Sequence, residues 1–132
     1  MSILALARKP PLTQIRAIEK GLPSTSLSEI ATALGISKSK LIEHLRFAPR
    51  TVTQREKCGN RFTMEESERL LRIVRVRHLL KELFTTDEAI AEWLEAEDDF
   101  LGNRTPLAML STDVGTAKVE NLVKGMIHGV PV

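Results

Sequence analysis

Apolar residues recur every three or four positions along most of the chain, the spacing of helices that bury one face. Leu12, Ile15, Ala17 and Ile18 predict a helix over residues 12–20, ended by Gly21, Leu22 and Pro23. Ser24, Thr25 and Ser26 offer N-caps for a helix over 27–34 with Ile30, Ala31 and Leu34 inward, and Gly35 closes it. Ser37 caps a helix over 38–46 whose Leu41, Ile42 and Leu45 form the buried stripe. Thr63 and Glu66 form a T-x-x-E capping box before a helix over 64–84, about 30 Å long at 1.5 Å per residue. Its Leu70, Leu71, Ile73, Val74, Val76, Leu79, Leu80, Leu83 and Phe84 cover more than one stripe, so it is expected to be buried on most sides. Thr85 to Glu88 cap the next helix, where Ile90, Trp93 and Leu94 point one way and Trp93 is expected as a core anchor. After a Gly102-Asn103-Arg104 turn, Thr105 and Pro106 start a short helix, and Ser111, Thr112 and Asp113 open the last one. Val119, Leu122, Val123, Met126 and Ile127 form its stripe and Gly129 ends it. Val130, Pro131 and Val132 then have little helix left to fold onto, so they are either frayed or covered by a partner.

The predicted fold is all-α, and short helices joined by tight turns place its first half near a helix-turn-helix. Two registers fit. In the first, Ala31 sits at the helix crossing, Gly35 makes the turn, and residues 37–46 read DNA with Lys38, Ser39, Lys40 and His44. In the second, 38–45 supports, Arg46-Phe47-Ala48 turns, and 49–57 reads, anchored by Val52 and led by Pro49. A reading helix must present donor-rich side chains at its N-terminal end to base edges and phosphates. Turn spacing favours the first register; the second offers Arg50, Thr51, Thr53, Gln54 and Arg55, with Lys57 and Arg61 nearer phosphate.

Charge sharpens this picture. The net charge is +2, but residues 1–60 hold ten Lys/Arg against four Asp/Glu, and 61–132 hold nine against thirteen. A basic front and an acidic back suit a polyanion partner for the first half. Hydrophobic residues at 42% with only 4% aromatics, none of them Tyr, suit a soluble helical core of Leu, Ile and Val. No transmembrane run is present, and the apolar start at 3–7 lacks a preceding basic stretch and is too short for a signal peptide, so the cytoplasm is expected. Cys58 is alone and His44, His78 and His128 are scattered, so neither an internal disulfide nor a metal site is expected. No phosphate loop or nucleophile constellation points to an enzyme or a cofactor. The acidic run 95–99 reads as a solvated loop.

A resemblance joins these readings. Trp93 and Leu94, then Phe100-Leu101-Gly102-Asn103-Arg104-Thr105-Pro106-Leu107, Leu110, Gly115, Val119, Leu122 and His128-Gly129-Val130, resemble the toxin-binding domain of Xre/MbcA/ParS-type antitoxins over roughly residues 70–132. The chain departs from that family's pattern at 95–99, where a Pro-Asn step is common and EAEDD stands here. The family also has an Arg-Thr followed by a basic pair just before its long helix, which favours the second register.

The resemblance implies a type II antitoxin whose partner is a RES-domain toxin that consumes NAD. The C-terminal end would cover the toxin's active site, and the front would bind operator DNA and repress its own operon, as a homodimer within a larger toxin–antitoxin complex. Candidate toxin contacts are Asn103, Arg104, Lys118, Glu120, Asn121, Lys124, His128, Val130, Pro131 and Val132; candidate DNA contacts are Arg50, Thr51, Thr53, Gln54, Arg55 and Lys57. The expected division is a DNA-binding region at 1–62, and the long connecting helix with the toxin-binding domain at 63–132. Two rivals remain: a transcription regulator whose C-terminal half only dimerises, and an interaction protein with no DNA role.

Overall fold

Helix α6 (Met64–Leu80) is the axis on which the two halves of the molecule pack. A computed structural model describes residues 2–129. Within them the chain is all-α: α1 (Ile3–Leu6), α2 (Pro11–Lys20), α3 (Ser26–Leu34), α4 (Lys38–Leu45), α5 (Pro49–Cys58), α6, α7 (Asp87–Glu95), α8 (Pro106–Met109) and α9 (Asp113–His128), with a 3-10 turn at Asp99–Leu101. Asp98 and Arg104 form an isolated β-bridge.

The capping box that opens α6 closes reciprocally. Thr63 Oγ1 accepts from the Glu66 N–H at 3.2 Å, and a Glu66 carboxylate oxygen accepts from the Thr63 N–H at 2.8 Å. Ser67, Leu70, Leu71, Ile73, Val74, Val76, Arg77 and Leu80 are all buried, so α6 is covered on most of its circumference as its apolar pattern predicts. It packs on α1, α2 and α3 in front and on α9 behind, and one continuous core runs from Ile3 and Leu6 to Val119, Leu122 and Val123.

Three local expectations differ. The long helix stops at Leu80, giving 17 residues and about 25 Å, because the Glu82 and Leu83 N–H groups bond three residues back and tighten the chain before Phe84. Leu12 and Ile15 on α2 are exposed, and that helix rests on Ala17 and Ile18. Residues 3–6, read only as an apolar start, form α1, whose Ser2 cap also bonds Glu29 and whose Ile3 and Leu6 enter the core. Trp93 is half-buried against the core, consistent with its expected anchoring.

Three contacts fix the C-terminal unit. Gly115, in the first turn of α9, lies where a Cβ would stand 2.1 Å from the Met109 carbonyl oxygen, so only glycine permits this crossing of α8 and α9. Arg75 on α6 pairs with Glu120 on α9 at 3.1 Å, and Arg77 pairs with Asp87 at 3.0 Å. No described helix is long and apolar enough to cross a membrane.

Candidate DNA and partner interfaces

Helices α3, α4 and α5 follow one another through two three-residue connections, each entered by a left-handed residue, Gly35 (φ 66) and Arg46 (φ 58). Both expected registers therefore exist as geometry. They differ in what their second helix has left to offer. Lys38 pairs with Glu56 on α5 at 2.9 Å and Lys40 pairs with Glu95 on α7, so the start of α4 is tied to its neighbours. Leu41 and Leu45 fill the core from its other side.

Helix α5 divides cleanly at 100° per residue. Arg50, Thr53, Gln54 and Lys57 share an exposed arc, while Val52 is buried opposite them. Arg50, Gln54 and Lys57 have no side-chain partner among the described residues, and Thr53 Oγ1 donates to the Pro49 carbonyl at 3.0 Å. The α5 N-terminus has Pro49 at its first turn and no side-chain cap, so its leading N–H groups stay open to an acceptor. Thr51 is half-buried.

Arg55 departs from the expected reading set. Its guanidinium turns inward to Glu66 at 3.0 Å, because residue 55 lies on the buried side of α5 and Glu66 is held there by its capping box. Arg61 likewise is engaged internally, donating to the Gly21 carbonyl at 2.8 Å.

The turn before α5 is held from behind by α6. Arg69 lies over the Phe47 ring, 5.5 Å from its centroid, and donates to the Leu45 and Arg46 carbonyls at 3.3 Å. Phe47 stacks in turn on Phe62 at 5.9 Å. These contacts satisfy the end of α4 and fix the angle at which α5 leaves it.

In the C-terminal half, the acidic run is structural rather than merely solvated. Glu95 pairs with Lys40, and an Asp98 carboxylate oxygen accepts from the Phe100 N–H at 2.8 Å to cap the 3-10 turn. Gly102 and Asn103 follow in left-handed conformations, and the Asp98–Arg104 bridge closes the loop. The loop presents Asn103 and Arg104 to solvent and leaves Phe100 exposed.

Beside it, α9 exposes Val114, Ala117, Lys118, Asn121, Lys124 and His128 along one face. Phe100, Leu101, Val114, Ala117, Lys118, Asn121 and Leu122 line a groove of about 470 Å³ there. Phe100 is 62% exposed and Val114 81%, an unusual cost in contact with water for two large apolar side chains side by side. Phe100, Val114 and Ala117 were not among the expected contacts; the signal for Val114 and Ala117 was an apolar residue on the polar side of α9, and for Phe100 a large apolar residue in an acidic turn. Glu120 was expected on this face but is half-buried in its pair with Arg75, turned toward α6. Val130, Pro131 and Val132 lie outside the described residues.

Comparison with known proteins identifies two family domains along the chain. The antitoxin Xre-like helix-turn-helix domain matches residues 13–75, which run from α2 through most of α6. The antitoxin Xre/MbcA/ParS C-terminal toxin-binding domain matches residues 79–129. An Antitoxin Xre from Yersinia enterocolitica is 32% identical over 117 residues, 88% of this chain and 79% of that protein. One from Photorhabdus laumondii is 31% identical over 114 residues, 86% and 77% of the two chains. A Sphingobium protein named Prs ADP-ribosylating antitoxin is 26% identical over 134 residues, covering 95% and 84%. The chain therefore belongs to the Xre antitoxin family, with that family's helix-turn-helix domain in front of its toxin-binding domain.

Proposed function

We propose that the chain neutralises a RES-domain toxin that consumes NAD, by covering the toxin's active site with its C-terminal region, and that it represses its own operon through the helix-turn-helix. The observation that carries the first part is the groove of Phe100, Val114, Ala117 and Asn121, which lies wholly inside the matched toxin-binding domain. An apolar patch rimmed by Asn121, Lys124 and His128 suits a protein partner: the apolar centre supplies affinity and the polar rim supplies register. The same reading assigns Val130, Pro131 and Val132 to the toxin's cleft. The chain itself supplies no chemistry in this reading and acts by occlusion, in the cytoplasm.

The second part assigns α5 as the reading helix. Its support is the exposed arc of Arg50, Thr53, Gln54 and Lys57, against an α4 whose lysines are already paired. Gln54 and Arg50 have the donors for bidentate base contacts, and Lys57 suits phosphate. A homodimer would place two α5 helices on two half-sites. Arg55 and Glu120 then act within the fold, holding α5 and α9 against α6.

The test is a pull-down of the neighbouring gene's product by the full chain and by Val114→Asp. The wild type should retain the toxin and the variant should lose at least tenfold in affinity, with an unchanged melting profile. Equal retention by both would remove the groove from the toxin interface, and no retention by the wild type would sink the toxin reading.

A further inference from the structure

A second groove, about 720 Å³, runs between the turn that precedes α5 and the start of α9. Three cations far apart in sequence line it: Arg46 from the turn, Arg104 from the 98–104 loop and Lys118 from α9. None of the three has an ion-pair partner among the described residues, whereas Lys38, Lys40, Arg55, Arg69, Arg75 and Arg77 are each paired with a carboxylate. The rest of the lining is Ala108, Met109, Ser111, Thr112, Val114 and Gly115, with no acidic residue. Three unneutralised charges around a concave surface whose other lining residues are all neutral, with the Ser111 and Thr112 hydroxyls among them, describe a site for an anion.

Arg46 indicates which anion. It occupies a left-handed helix cap, a conformation that costs an L-residue free energy and that glycine fills at Gly35, Gly59, Gly102 and Gly129. An arginine stands at this position with no carboxylate paired to its guanidinium among the described residues. It also stands three residues before α5, so its Cα is within about 11 Å of the Cα of Pro49. The backbone of any duplex whose groove receives the start of α5 passes close to that turn.

We propose that this groove receives the phosphate backbone of operator DNA beside the bases read by α5, so that Arg104 and Lys118 of the toxin-binding domain contribute to DNA affinity. The proposal rests on α5 being the reading helix. It moves Arg104 and Lys118 from the toxin surface to the DNA surface. Lys118 and Val114 also border the apolar groove, which makes the toxin and DNA surfaces neighbours that meet along α9.

The experiment measures affinity for a duplex from the chain's own promoter over a series of salt concentrations, using the full-length protein. Arg104→Gln/Lys118→Gln should reduce the slope of log K against log salt by about two, since each phosphate contact contributes about 0.9. Affinity near 100 mM salt should fall tenfold or more, and the preference for promoter over scrambled duplex should persist. Arg46→Gln should remove about one further unit of slope, and Lys81→Gln, an exposed cation outside the groove, should remove none. An unchanged slope in the double variant overturns the proposal. Lost toxin retention with intact DNA binding overturns it too, and assigns the groove to an acidic protein segment. If the wild type binds no DNA, or Arg50→Ala/Gln54→Ala leaves promoter preference intact, the α5 reading itself fails and the groove proposal falls with it.

Discussion

Arg46 shows how a single position can carry a conformational cost and a charge at once. In the left-handed region an L-residue loses roughly 1–2 kcal/mol, while glycine there loses roughly 0.5–1 kcal/mol through its freer unfolded chain. The two terms nearly cancel, so Arg46→Gly should denature in urea within about 1 kcal/mol of the wild type, with weaker DNA binding. A large loss of stability would mean that the Arg46 side chain holds the fold. Base reading belongs to this scale as well. Arg50→Ala and Gln54→Ala should each cost roughly 1–3 kcal/mol in discrimination between operator and scrambled duplex, and Lys57→Ala should weaken both about equally. Arg55→Ala separates the two kinds of effect, because its partner is Glu66; it should lower the melting temperature more than it relaxes sequence preference.

At the scale of elements, α6 and the α8–α9 crossing hold the two surfaces in place. Thr63→Ala removes one half of the capping box and should destabilise the protein by about 1 kcal/mol in denaturant titration. Gly115→Ala must push α9 off the Met109 carbonyl and should cost roughly 1–3 kcal/mol, with toxin retention falling at least as much as DNA binding. Most helices were legible because the signals are local: Ser37, Thr63, Thr86, Thr105 and Thr112 all cap as their spacing predicts. The misses are physical too. Four residues cannot display a helical repeat, so α1 read only as an apolar start. The apolar run through Leu83 and Phe84 hid the end of α6, which is set by backbone tightening and not by a polar residue. Arg55 and Glu120 looked like free surface charges because their partners, Glu66 and Arg75, sit on another helix.

At the scale of the molecule, the two halves share a core through α6, so the DNA and partner surfaces ride on one body rather than on tethered modules. The groove of Arg46, Arg104 and Lys118 exists only because of that packing; no sequence window brings those residues together. The charge asymmetry between the halves was legible, but it concealed two unpaired cations of the acidic half that face the basic one. Deleting residues 129–132 tests the other end of the molecule. The truncated chain should neutralise the toxin less well while binding promoter DNA within about twofold of the wild type, and full protection by it would exclude the tail from the toxin's cleft.

Co-expression with the neighbouring gene's product decides whether the proposed NAD-consuming RES-domain toxin is the partner of this antitoxin. Growth, cellular NAD and co-purification are measured together. The neighbour alone should drain NAD and arrest growth, and the full chain should restore both and co-purify with it. A neighbour that leaves NAD untouched, or a chain that neither protects nor associates, would contradict that partnership.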